Sequence, residues 1–489
     1  MGLTLALNTA RASLLANSNQ IAVSARNVAG ANDPGYSRKI ATLVAGSAGG
    51  ATVTITRAGD PALYARTLTA SSDAARGDAL LTGLTKLAQT IGDTDDPTAP
   101  AARLSALQAA LQAAANQPDN TQLARDAVEA AKALADGLNA AADTVHAVRA
   151  EADAGIANSV TRINDLLGRF DAANRAVVKL TALGGDATDA LDDRDRILTA
   201  LSQEIGVTAV NREGGDMALY TDGGVTLFER GPRAVAFSPT STFAAGTVGG
   251  TVTIDGVPVT GAGSPMPLTS GRIAGLASLR DGAALGYEAQ LDALAGALIG
   301  TFAENDSVAP DGGQRAGLFI AGGSATLPAS TAAGRIGLAS SIAINAAVDP
   351  ARNGDPTLLR SGGMNGSDYA DPAAGGDAAY AGRLRNLVEA LAASRPVDPA
   401  LGLGTTSSLP ELAASSAGWL EAQRKDAATA ASYQKTLLAR ANEALSNAAG
   451  VNGDDETALA LQLERSYSAS AKLITVVNDL LKTLLDAVR

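Results

Sequence analysis

A single histidine, His146, and no cysteine in 489 residues narrow the chemistry open to this chain from the start. Without Cys there is no disulfide, no thiol nucleophile and no thiolate metal site. The lone imidazole lies in the helical-looking AADTVHAVRAEAD. It lacks the second His or clustered carboxylates that acid–base catalysis or a metal centre needs, and reads as a surface or groove residue. Serines and carboxylates are plentiful, yet no G-x-S-x-G, H-E-x-x-H, Walker or G-x-G-x-x-G arrangement occurs in the strand and helix context that gives such motifs meaning. Asp306, Asp311 and Asp355 fall in loops without EF-hand spacing. The densest charge cluster, ALDDRDRILTALSQEIG, sets Leu191, Ile197, Leu198 and Leu201 on one helix face and Asp192 with Arg196 as an i,i+4 pair on the other. That pattern predicts a solvated helix face. No catalytic residue, cofactor or metal is expected.

The composition points to architecture. Apolar residues make up 46% of the chain and aromatic ones only 3%, and the apolar share is mostly Ala, Leu and Val. Ala and Leu lose little entropy in a helix, and Ala lets neighbouring helices approach closely, so long packed helices are favoured. A net charge of -12 without clustered Lys or Arg argues against nucleic acid. No run of 18 apolar residues and no basic stretch leading into an apolar core is visible, so neither a membrane span nor a Sec-type signal is expected.

At each end stands a heptad. Leu3, Leu7, Ala10, Leu14, Asn17, Ile21, Ser24 and Val28 recur at alternating steps of four and three, with Asn17 placed to set register. Leu459, Leu463, Tyr467, Ser470, Ile474, Val477, Leu481 and Leu484 recur at steps of three or four near the other end, with Asp454 or Asp455 available as N-cap. A two-helix unit buries little by itself, so this pair is expected to order and gain net stability only against copies of the chain. After the first helix, Gly30 is suited to a left-handed C-cap and Asp33-Pro34-Gly35 to a turn. YSRKIATLVAG and GATVTITRAG then predict a hairpin.

Helical spacing returns over Leu63–Ile91, Ala101–Ala115, Thr121–Leu183 and Thr188–Ile205, again over about 270–304, and from 376 to the end. Between them, period-two runs after Gly206 include a hairpin signal at Asp255-Gly256. The expected fold is mainly α with inserted β: paired N- and C-terminal heptad helices, a helical second domain and a small outer β domain. The expected division is 1–60 with 450–489 as a terminal helical polymerisation domain; 61–205 with 270–304 and 376–449 as a rod-like helical domain; 206–269 as a β domain; and 305–375 as a loop-rich or β outer segment.

The stretch NVAGANDPGYSR resembles the N-terminal signature of the bacterial flagellar rod, hook and hook-associated proteins, and SYSASAKLITVVNDLLKTLL is similar to their terminal helix, except that its Lys directly follows Ala471. The order ALDDRDRILTALSQEIGV, β segment, SGRIAGLASLRD, then LIGTFAEN before GLF is similar to that of the members at the hook–filament junction. The likeness is strong over 1–40, 185–320 and 450–489.

The resemblance implies a structural subunit of the flagellum that polymerises through its terminal helices as a junction ring. Hook protein and a second junction protein, hook-associated protein 3, would be its partners, with an export chaperone on the C-terminal helix. It also implies an extracellular location reached by type III export without a cleaved signal peptide. Leu3, Leu7, Leu14, Asn17, Ile21, Val28, Leu459, Leu463, Tyr467, Ile474, Val477, Leu481 and Leu484 would form the assembly seam, and Pro34, Gly35, Tyr36 and Arg38 a connector to the next layer. Another axial role, of hook or filament type, or a secreted adhesive protein is the alternative.

Overall fold

The computed structural model describes residues 2–45, 51–92, 97–309 and 313–487, with side chains over 5–44, 53–92, 97–309 and 313–487. The chain runs α1 (Gly2–Gly30), a hairpin of β1 (Lys39–Ala45) and β2 (Ala51–Arg57), then α2 (Pro61–Ala88), α3 (Pro100–Asn116), α4 (Thr121–Ala182) and α5 (Thr188–Glu204). The elements match the sequence spacing closely, because each carries its own start signal. Asp60 caps α2 ahead of Pro61, Pro100 opens α3, and the Asn120 side chain accepts from the amides of Gln122 and Leu123 to start α4.

α4 is the axis of the molecule. Its 62 residues extend about 93 Å at 1.5 Å per residue. A continuous buried row serves two separate cores. Val128, Leu134, Leu138 and Val145 pack with α3 and with α7 (Ala284–Thr301), α8 (Gly382–Ala392) and the start of α9 (Leu409–Ala449). Ile156, Ile163, Leu167 and Phe170 pack with α5, α6 (Gly271–Ser278) and the β segment. The last helix, α10 (Gly453–Ala487), follows α9 and packs on α1.

The β segment holds two three-stranded antiparallel sheets: β3 (Val207–Asn211), β4 (Met217–Thr221) and β5 (Thr226–Phe228), then β6 (Val235–Ala236), β7 (Thr253–Ile254) and β8 (Val257–Pro258). Asp255 and Gly256, at φ 46° and 82°, make the two-residue turn with both central φ positive that a tight hairpin requires. Phe228 meets Phe170 edge to face at 4.9 Å, fastening the first sheet to α4. Segment 305–375 differs from an outer loop: Phe319, Ile320, Ile342, Ile344 and Val348 enter the α4–α7 core, and Phe319 stacks edge to face on Phe302. Asp306 and Asp355 each accept amide hydrogen bonds from residues two positions on, as turn caps, and Asp311 lies outside the described residues.

His146 is half-buried, as a groove residue would be: its Nε2 lies 2.8 Å from Glu288 Oε1, at the edge of a buried polar network that fastens the irregular 237–250 loop to α4. Arg149 bonds Glu288, the Arg280 carbonyl and the Thr247 carbonyl. Arg280, in a π-helical turn joining α6 to α7, bonds Asp153, Asp281 and the Gly250 carbonyl. Asp153 also accepts from the Thr240 amide at 2.8 Å. The two guanidiniums lie over Phe243 and Phe237.

Candidate functional site

The polar residues of the first sixty positions converge where α1 ends. Asn27 is buried at 1% exposure and its amide closes the loop that follows: Nδ2 donates to the Lys39 carbonyl at 2.9 Å, while Oδ1 accepts from the Lys39 amide at 2.8 Å and the Tyr36 hydroxyl at 2.9 Å. The turn itself is built by Asp33, whose carbonyl accepts from the Tyr36 amide and whose Oδ1 accepts from the Gly35 amide. Burial pushes the Tyr36 phenol up to about 12, with Arg26 opposing and Asp192, Asp189 and Glu456 adding to the rise, so the hydroxyl keeps its proton and donates.

The two glycines are explained by close approach. Neither Gly30 nor Gly35 has positive φ, so Gly30 is not a left-handed cap. A Cβ on Gly30 would lie 2.6 Å from the Tyr36 ring, and one on Gly35 would lie 2.6 Å from Nε of Arg196. The turn thus folds flat between α1 and α5.

α5 receives it through charge. Lys39, with a fully buried side chain, reaches Asp192 at 2.5 Å and Asp189 at 2.9 Å, and sits 4.7 Å over the Tyr36 ring. Arg57 bridges Asp192 at 3.1 Å and Asp195 at 2.7 Å, Arg26 reaches Asp186 at 3.3 Å, and Arg196 reaches back to Asp33 at 3.1 Å. The sequence expectation of a solvated face is corrected here. Asp192 and Arg194 are buried, and Asp192 pairs with the hairpin rather than with Arg196. Burial raises the Asp195 carboxyl above its ordinary value despite Arg57, and the same two aspartates hold the Arg57 guanidinium charged against its own burial.

α1 and α10 pair within the chain, as their two seams predict. Polar contacts supplement a thin apolar seam: Asn17 Nδ2 donates to Ser466 Oγ at 2.9 Å, and Ser24 donates to the Glu456 carboxylate at 2.9 Å. Ala10, Ala16, Val23, Leu463 and Val477 are buried; Leu7, Leu14, Ile21, Ile474 and Leu481 are half-buried. Leu459, Tyr467 and Leu484, expected in the seam, are exposed, and so is Val28. A strict seven-residue repeat drifts about 20° per heptad on a straight helix, so the ends of the row rotate out of the contact. The cap of α10 is Asn452, whose Oδ1 accepts from the amides of Asp454 and Asp455. The side chain of Leu3 lies outside the described residues.

Of the connector residues, Pro34 and Gly35 shape the turn and Tyr36 is spent on Asn27. The Arg38 backbone bonds Ala449 and Ala58, and its guanidinium has no hydrogen bond or ion pair among the described residues. Asn27, Lys39, Arg57 and Glu456 were not singled out from the sequence, and Ser24 and Asp192 were read only as a heptad position and as one half of a solvated pair. A readable signal existed: residues 1–60 carry five basic and two acidic side chains, and 186–196 five aspartates and two arginines.

Residues 84–317, which span α3 to α7 and the β segment, match the family model described as the flagellar hook-associated protein FlgK helical domain. Residues 443–487, the whole of α10, match the flagellar basal body rod FlgEFG protein C-terminal model. The chain is thus similar to the flagellar hook-associated proteins over its central part and to the flagellar rod proteins over its last helix. The α5 acids and the outer rows of α10 therefore lie within segments matched to the hook-associated and rod families, while the NVAGANDPGYSRK connector precedes both. No curated protein matches the chain. Solved structures that match include the flagellar hook junction protein FlgK from Burkholderia pseudomallei, at 24% identity and a TM-score of 0.43, over 53% of this chain and 47% of that one. This chain thus matches about half the length of the Burkholderia protein.

Proposed function

We propose that this chain is a structural subunit of the hook–filament junction, of the kind called hook-associated protein 1, and that α1 and α10 polymerise it into a ring-like layer. The observation that carries the reading is an uncovered apolar row on α10. Leu473, Val476, Leu480 and Leu484 follow one another at helical steps, each more than half exposed, beside the row that faces α1. α1 adds Leu5 and Leu15, also exposed. Full burial of a Leu or Val contributes about 1.5–3 kcal/mol, so covering the remaining half of these four side chains against a neighbour contributes on the order of 4 kcal/mol per subunit.

Arg38, whose guanidinium is unpaired among the described residues, is the connector residue left for a neighbouring carboxylate, whereas Tyr36 is committed internally. Hook protein and hook-associated protein 3 would bound the layer on its two sides, an export chaperone would cover the α10 row beforehand, and the subunit would leave the cell by type III export. The division into a terminal polymerisation unit, a helical rod and outward segments belongs to the same reading.

The test is removal of residues 455–489, with electron microscopy of flagella and an assay of flagellin in the medium. Hooks without filaments and shed flagellin are expected; normal filaments would overturn the reading. A Val476→Glu, Leu480→Glu variant should reproduce the defect while the chain still folds.

A further inference from the structure

Neither apolar core contains a residue from 1–60 or 450–489. Apart from the chain passing through Ala58 and Gly450, the terminal unit meets the rest of the molecule through charge: Arg26, Lys39 and Arg57 on Asp186, Asp189, Asp192 and Asp195, with Asp33 on Arg196. The residues on the far side of this contact lie on one short helix, α5, and the turn that leads into it.

We infer that α5 is an electrostatic clasp that fixes the angle between the terminal helix pair and the helical column, and that neutralising it lets the pair swing as an intact body. A joint packed with apolar side chains would tolerate loss of one charge. Here the buried Lys39 pairs, among the described residues, with Asp189 and Asp192 alone, and Asp192 is shared by Lys39 and Arg57. Removing the Asp192 charge therefore weakens the hold on two cations at once, leaving the buried Lys39 with the exposed Asp189 alone and Arg57 with Asp195 alone, and a buried cation short of counter-charge favours separation. Gly59, with open space around it, and the extended link into α2 give the swing a pivot. The α1–α10 contacts through Asn17 and Ser24 lie outside the clasp, so the pair moves as one piece.

Because the chain has no native Cys, introduced pairs are the sole spin-labelling sites. Ser18→Cys with Ala172→Cys spans the joint from α1 to α4; Ser18→Cys with Ser468→Cys lies within the terminal pair; all three positions are exposed. Pulsed dipolar EPR on the unassembled full chain is expected to give a narrow distance distribution for both label pairs. Asp192→Asn and, separately, Lys39→Met should widen the joint-spanning distribution at least twofold and leave the internal one unchanged. Asp193→Asn, whose carboxylate touches Arg196 alone, should alter neither. A joint-spanning distribution that is broad in the parent, or equally narrow in the parent and both clasp variants, would overturn the inference. So would broadening of the internal distance, which would mean the helices separate instead of swinging. The unassembled chain reports on the joint whatever its assembly partner, so failure here is distinct from failure of the junction reading.

Discussion

Asn27→Ala isolates the closure of the connector. The buried amide makes three hydrogen bonds, two to the Lys39 backbone and one from the Tyr36 hydroxyl. Its loss leaves the Lys39 amide and carbonyl without partners at a buried position, and a stranded buried polar group costs about 1–3 kcal/mol. The Tyr36 hydroxyl can turn to water and contributes less. A total of about 3 kcal/mol follows, concentrated where α1 meets β1. Since about 1.4 kcal/mol is tenfold, the Lys39 amide should exchange its hydrogen roughly 150 times faster than in the parent, while amides in the middle of α4 are unaffected. Hydrogen exchange read by NMR or by overlapping peptides measures this directly. Tyr36→Phe removes one of the three bonds and should accelerate exchange by less than about tenfold; the double variant should fall short of the sum, because the two side chains share a bond. An Asn27→Ala chain whose Lys39 amide exchanges within threefold of the parent would show that the ion pairs alone hold the connector.

Three other outcomes can be checked on the same chain. Gly30→Ala should lower stability by about 1–3 kcal/mol, because the new methyl meets a held aromatic ring, while Gly35→Ala should cost less, since the Arg196 side chain can give way; thermal unfolding with exchange at the connector separates the two. Tyr36 is raised from its ordinary 10.0 to about 12, so its contribution is fully present below about pH 10 and is lost as pH rises toward 12, where the unfolded chain has ionised and the folded one has not; absorbance titration and alkaline unfolding of the parent should show this, and Tyr36→Phe should abolish it. Arg280→Ala strands Asp153 in the interior and should cost about 3–5 kcal/mol, with the earliest loss of exchange protection in the 237–250 loop; a loop that keeps parent protection would refute its dependence on that guanidinium.

The long helices were legible because each is announced locally: α2, α3, α4 and α5 start at Asp60-Pro61, Pro100, Asn120 and Thr188, and their apolar spacing is a property of neighbouring residues. The Asp255-Gly256 turn was legible for the same reason. What escaped depended on partners distant in sequence. Asp192 looks solvated until Lys39 and Arg57, about 150 and 135 positions away, are brought to it. Gly30 and Gly35 look like conformational choices until the Tyr36 ring and Arg196 occupy the space where a side chain would go. The α10 row could be counted but not phased, since a spacing of three and four does not say where a straight helix leaves its partner. His146 gave no local sign that Glu288 and Arg149 would enclose it.

α4 fixes more than the distance between the two cores. Both are bolted to one uninterrupted helix, the first ending near Ala152 and the second beginning at Ile156. Adding one residue between them would turn one core against the other by about 100° and lift it 1.5 Å. A whole heptad restores the angle to within about 20° but moves the cores about 10 Å apart, breaking the Arg280 to Asp153 tie that spans them. Length is therefore quantised here: connecting turns such as 183–187 can absorb extra residues, whereas the middle of α4 admits none without putting the two halves of the molecule out of phase.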